Sequence, residues 1–212
     1  MGAGGGWGDC ADCWDTDHAG MGDCVSKIIH HAGLGFAIIP KSGGSSIKTA
    51  IRSGMGLSDD VGIHADNRLN YTSGTNGLFI VAFIRDPFER LVSAWANKIH
   101  SKRYMESHLH RHSFTLGMPF DDFVRHLDGH CFDAHFQPQQ KFLPERVDML
   151  ARLEDALAVW PEIQARFPWL PDMPHKNTTD HKPAAEMFTP ETQAIAERLY
   201  RDDIELWHSL SA

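Results

Sequence analysis

A chain of 212 residues, 42% of them hydrophobic and 23% charged, has the length and make-up of a globular protein with one domain and a sizeable core. Its 20 Lys+Arg against 28 Asp+Glu give a net charge of −8. That argues against a general nucleic-acid binder, which would need a basic face to displace counterions, but it allows a local cationic pocket.

Residues 1–33 read as a flexible, Gly- and Asp-rich segment, and residues 34–212 as the folded domain. No signal-peptide pattern stands at the N-terminus, and Gly6 occupies the position where a myristoylation signal needs Ser or Thr. The longest apolar run, residues 77–84, is too short to span a bilayer, so the expectation is a soluble, cytoplasmic protein. Cys10, Cys13 and Cys24, with His18 nearby, make only half of a zinc-type ligand set, so free thiols and no metal are expected. Cys131 reads as a small core residue.

"GFAIIP" (35–40) is a continuous apolar run of the kind that forms a buried parallel strand, and "SSIKTAIRSG" follows as a helix ending at Gly54. "GLFIVAFI" and "RDPFERLVSAWANKI" repeat the strand-then-helix order. Asp86 as N-cap, Pro87 in the first turn and Glu89 as reciprocal cap mark the second helix start. Phe88, Leu91, Val92, Trp95 and Ile99 share one face of that helix, whereas Ser93 falls on the stripe with Glu89 and Asn97. Three more helices are expected: "PFDDFVRHL", "ARLEDALAVWPEIQARF" with a break near Pro161, and "PETQAIAERLYRDDIELWHSL". The predicted fold class is α/β, a single P-loop-like domain with a parallel sheet flanked by helices.

In such a unit the strand-to-helix loop lies at the carboxyl edge of the sheet, where ligands bind. There Gly43 and Gly44 let backbone approach a ligand, Ser42, Ser45 and Ser46 supply hydroxyls, and Lys41 and Lys48 supply charge. Arg85 ends the second strand on the same edge, with a guanidinium fork suited to phosphate. A tight Gly-Gly turn with solvated lysines, and Arg85 as a structural ion-pair partner, are the plain alternatives.

"PKSGGSSIK" resembles the 5′-phosphosulfate-binding loop of sulfotransferases that use 3′-phosphoadenosine 5′-phosphosulfate (PAPS). "RDPFERLVSAWANK" is similar to their 3′-phosphate-binding segment, in the form found in carbohydrate sulfotransferases related to chondroitin and dermatan 4-O-sulfotransferases. His64, "HFQPQ" (135–139), "RLEDAL" (152–157) and "RLYRDDIELW" follow in matching order, so the resemblance spans residues 36–207. It implies that Lys41 and the Gly43–Ser46 backbone and hydroxyls bind the 5′ end of PAPS, that Arg85 and Ser93 hold the 3′-phosphate, and that no metal is required. Lys176, in "PHKNTTDHKP", matches a late loop that closes over the nucleotide. The family's eukaryotic members carry a membrane anchor and cysteines after "HxxPQ"; here "FLPERVD" follows, so the acceptor does not transfer with the resemblance.

Sulfuryl transfer needs a general base for the acceptor hydroxyl, and histidine titrates in the right range. Of 14 histidines, His64 is the expected base and His135 the residue that positions the acceptor. His108, His110 and His112 read as a solvated loop. The expected partners are therefore the nucleotide sulfate donor and a hydroxyl acceptor, expected to be a carbohydrate, with "NKIHSKRY" available as a basic rim. Two other functions fit less of the sequence. A P-loop phosphotransferase would want Gly-Lys-Ser/Thr order and an acidic strand end for its metal, and a non-catalytic nucleotide-binding module would not need Lys41, Arg85, Ser93 and His64 together.

Overall fold

Ile28–His31 (β1) and Leu34–Ala37 (β2) form an antiparallel hairpin in the computed structural model, with His31 opposite Leu34. Ala32 and Gly33 make its two-residue turn, both at positive φ (44° and 85°), the backbone that matches the twist of paired strands. The structure describes residues 26–58, 60–63, 66–107, 113–128, 133–174 and 182–210. His64, Lys176, His108, His110, His112 and all four cysteines lie outside the described residues. The first strand thus begins before residue 34, inside the stretch that composition assigned to the leader.

The remaining elements are α1 (Gly44–Gly54), β3 (Asn70–Thr72), β4 (Phe79–Ile84), α2 (Pro87–Lys98), α3 (Lys102–Ser107), α4 (Phe120–Leu127), β5 (Met149–Arg152), α5 (Ala156–Arg166), α6 (Pro190–Leu199) and α7 (Arg201–Ser209). The sheet order is β3-β1-β2-β4-β5. β2, β4 and β5 are parallel neighbours, while β1 runs antiparallel to both β2 and β3, so one strand of five opposes the rest. The architecture is the expected α/β one, with a mostly parallel sheet flanked by helices.

The described chain divides into two compact units. One comprises the described residues of Cys24–Asp86, Gln139–Thr178 and Glu205–Ala212 and contains the sheet. Its core joins Ile29, Leu34, Phe36, Val81 and Phe83 of the sheet to Ile47, Ala50 and Ile51 of α1 and to Trp160 and Ile163 of α5. Phe36, Phe83 and Trp160 stack with centroids 5.6–6.4 Å apart, and the Trp160 indole donates to the Pro171 carbonyl, so its polar atom is satisfied while the ring is buried. α1 can end against this core only because Gly54 has no Cβ, which would stand 2.6 Å from Trp169.

The other unit comprises the described residues of Pro87–Pro138 and Thr179–Ile204 and is helical. Leu91 and Val92 of α2, with Ile99 just past its end, are buried in one cluster with Phe120, Phe123, Val124 and Leu127 of α4, as the apolar spacing in each helix dictates. Phe114 and Phe136 complete the cluster, and the Tyr200 hydroxyl donates to the Phe136 carbonyl at 2.6 Å.

Several expectations need correction. "MLAR" is strand β5, pairing with β4 from Val81↔Met149 to Ile84↔Arg152, so the helix expected from residue 151 starts at Ala156. Pro161 sits inside α5 without breaking it; it has no N–H to give the carbonyl of Leu157, a residue on the exposed side of the helix. The C-terminal pattern is two helices, parted at buried Tyr200 (φ −116°, ψ 25°). Asp86 precedes Pro87 as expected, and tertiary bonds add to that helix start: the Asp86 N–H donates to Glu154 Oε1 at 3.0 Å, and Glu89 Oε1 accepts from the Ala184 N–H at 2.8 Å.

Candidate functional site: an anion loop at the carboxyl edge of the sheet

β2 and β4 are registered Ala37 to Ala82, which brings the segments that follow them out at the same edge of the sheet. After β2 the chain turns sharply. Ser42 N–H donates to the Ile39 carbonyl at 3.2 Å, with Pro40 at the second turn position and Lys41 at the third. Lys41 has φ +68°, as a type II turn demands at that position. Glycine is the usual occupant; a lysine held there points to a constraint on its side chain. Two residues on, Gly43 is again left-handed (φ +78°) and precedes the first turn of α1, where the Ile47 N–H reaches back to the Gly43 carbonyl. A Cβ on Gly43 would stand 2.7 Å from Leu153 Cδ1, so glycine is favoured by this contact as well as by φ.

Of the other loop residues, Ser42 and Ser46 are buried, whereas Lys41, Gly43, Gly44, Ser45 and Lys48 are half-buried. Burial, and then the neighbouring Lys27 charge, lowers the Lys48 pKa from its ordinary value. An anion bound nearby would offset both effects.

Gln139, given no role from sequence, ties this loop to Arg85. Its Oε1 accepts from Ser42 Oγ and from the Arg85 N–H, each at 2.9 Å, and its Nε2 donates to the Arg85 carbonyl at 2.8 Å. Glu154 of "RLEDAL" takes the next N–H, that of Asp86, and its other oxygen accepts from the Trp207 indole at 3.3 Å. Arg152 lies over the Trp207 ring at 3.7 Å and donates to the Trp207 carbonyl. The later motifs "HFQPQ", "RLEDAL" and "RLYRDDIELW" therefore converge on the Arg85–Asp86 corner. The only sequence signal for Gln139 was its place in "HFQPQ".

In the helical unit Ser93 is buried, not on an exposed polar stripe as the helix wheel suggested, within a run from Arg90 to Ala94 that is buried all round the second turn of α2. His135 lies in a hydrogen-bonded cluster. Its Nδ1 is 2.6 Å from Asp133 Oδ1 and 2.9 Å from the Tyr104 hydroxyl, and its N–H also donates to Asp133 Oδ1. The Tyr104 hydroxyl donates to Asp133 Oδ2. Burial alone would raise the Asp133 carboxyl, but hydrogen bonds and charge from His135, joined by Tyr104, outweigh it and hold the group well below the usual carboxylate range. An ionised Asp133 against Nδ1 places the proton of the neutral ring on Nδ1, leaving the lone pair on Nε2. Lys98 lies over the Tyr104 ring at 3.9 Å, and burial lowers its pKa although Asp133 pulls the other way. Asp133 and Tyr104 were given no role from sequence; the two-residue spacing of Asp133 from His135 was the one available signal.

Among the described residues no group of three or more His, Cys, Asp or Glu side chains could hold a metal, and no helix is long and apolar enough to cross a membrane. No curated protein and no solved structure matches the chain significantly. The sequence profile of the Sulfotransferase family matches residues 27–208, from just before β1 to the last turn of α7. The left-handed lysine loop and the arginine corner tied to it lie within that match, and the chain belongs to the sulfotransferase family.

Proposed function

We propose that this protein transfers a sulfuryl group from 3′-phosphoadenosine 5′-phosphosulfate to a hydroxyl of a carbohydrate. The observation that carries the reading is the loop from Pro40 to Ser46, whose two left-handed residues present Lys41 and the start of α1 beside an arginine-bearing strand end. The residues fit the donor: left-handed Gly43 opens α1, whose first N–H groups suit a phosphate, and the cations Lys41, Lys48 and Arg85 offset its charge. The carbohydrate acceptor is supported by the form of "RDPFERLVSAWANK".

In the reaction the acceptor oxygen attacks sulfur in line, the new O–S bond forms and the S–O bond to the 5′-phosphate breaks. The acceptor proton goes to a histidine, and 3′,5′-bisphosphoadenosine leaves. Lys41 donates to the bridging oxygen as it gains negative charge, so its contribution grows toward the transition state. Arg85 and Ser93 take the 3′-phosphate, and Lys176 a phosphate of the bound nucleotide. His64 is the base on the family resemblance, with His135 positioning the acceptor.

One observation favours a second assignment of the base. The Asp133 carboxylate orients His135 and would stabilise its imidazolium, the arrangement a general base needs. Labelled-donor assays against oligosaccharides, small alcohols and phenols test the function. Transfer to an oligosaccharide, without added metal, is the expected result. Transfer only to phenols would overturn the carbohydrate reading, and magnesium-dependent phosphoryl transfer would overturn the sulfotransferase reading.

A further inference from the structure

We infer that Gln139 is a positioning residue of the donor site, holding the Lys41 loop and the Arg85 corner in one fixed spacing. This rests on the proposed reading, in which those two stretches take opposite ends of one nucleotide. Gln139 is 0% exposed and lies 97 residues from Ser42 and 54 from Arg85 in the chain. Its amide makes three bonds to those two places and nowhere else along the sheet edge is a single side chain seen to join them among the bonds described.

The chemistry of the clamp selects glutamine. Ser42 Oγ and the Arg85 N–H both need an acceptor, while the Arg85 carbonyl needs a donor, and one neutral amide supplies both. A carboxylate would keep the acceptor, lose the donor and add negative charge beside an anion loop. Methionine would fill the space and leave the buried Ser42 hydroxyl and two part-buried Arg85 backbone groups without the partner they have now, which is unfavourable for each. Because the clamp fixes a spacing, a ligand that spans both ends gains from it, whereas a ligand held at one end gains little. A residue that only stabilised the unit would affect both ligands alike.

The test is calorimetric titration of wild type, Gln139→Met and Gln139→Glu with 3′,5′-bisphosphoadenosine and with adenosine 5′-phosphate. Gln139→Met is expected to lose about tenfold in bisphosphate affinity and less than about threefold for the monophosphate, so the ratio between them shrinks. Gln139→Glu adds an internal control, since a protonated carboxyl carries both a donor and an acceptor and reproduces the amide's bonds. Its ratio should recover toward the wild-type ratio between pH 8 and pH 5, measured against wild type at each pH. A variant ratio equal to wild type in Gln139→Met, or, if that variant does not fold, a Gln139→Glu ratio that is wild-type at pH 8, overturns the positioning role while leaving the nucleotide reading standing. A wild-type protein with no preference for the bisphosphate overturns the nucleotide reading itself.

Discussion

Lys41 combines two demands that are easily confused, a positive φ and a positive charge. For an L-residue the left-handed backbone is disfavoured by roughly 1–2 kcal/mol, and glycine escapes that. Lys41→Gly and Lys41→Ala should therefore lose turnover equally, by tenfold or more, if the ammonium meets charge on the leaving phosphate. The glycine variant should melt higher than the alanine variant. A glycine variant with near-normal turnover would show that only the turn matters. Asp133 offers a second test at this scale. If His135 is the base, Asp133→Asn should lower turnover at least tenfold and move the acid limb of the pH–rate profile to lower pH, because the charge that favours the imidazolium is gone. An unchanged profile would return the role to His64. The residues of the Asp133–His135 pair stand two apart in the sequence and bond each other directly, and Tyr104 of α3 joins both from 29 and 31 residues away.

Helix α1 shows how one residue sets an element against its neighbour. Gly43 carries the left-handed turn that aims the first N–H groups of α1, and its missing Cβ leaves room for Leu153. Gly43→Ala should weaken 3′,5′-bisphosphoadenosine binding by tenfold or more in calorimetry. Adding Leu153→Ala should recover only part of it, since the overlap is relieved and the backbone strain is not. At the start of α6, Thr189 and Thr192 form a reciprocal cap, Thr189 Oγ1 accepting the Thr192 N–H at 3.3 Å and Thr192 Oγ1 the Thr189 N–H at 3.0 Å. Thr189→Ala should cost about 1 kcal/mol in chemical denaturation without changing nucleotide affinity. A change in affinity would tie this helix to the site.

Stability of the whole protein in acid should carry the mark of Asp66. Two guanidinium hydrogen bonds from Arg68, at 2.8 and 2.9 Å, lead the effects that bring its pKa down to about 2 from an ordinary 3.8, outweighing burial, and Arg52 stands 3.7 Å away. A depressed carboxyl stabilises the fold fully above its unfolded pKa and loses that contribution as pH falls through its folded one. The contribution should disappear between about pH 4 and pH 2. Asp66→Asn should be less stable than wild type at pH 7, and the gap should narrow across that window in pH-dependent denaturation. A gap that stays constant would mean that Asp66 acts through packing alone.

Local order was largely written in the sequence. Apolar runs and Gly-Ser punctuation marked β4, the lysine loop and α1, because strand burial, turn φ and helix start each depend on residues close in the chain. The apolar stripe of α2 was legible for the same reason. Tertiary structure alone decided the rest. β1 and β3 owe their places to pairing on an edge that neither short segment announces by itself, and "MLAR" is a strand because β4 offers it partners. Ser93 is buried although it lies off the apolar stripe of α2, because burial there depends on what the fold packs around the helix and not on the helix's own pattern. The clamp at Gln139 lies furthest from any sequence rule. A glutamine side chain has donors and acceptors wherever it stands, and only the fold determines that they meet a serine 97 residues away and a peptide group 54 residues away.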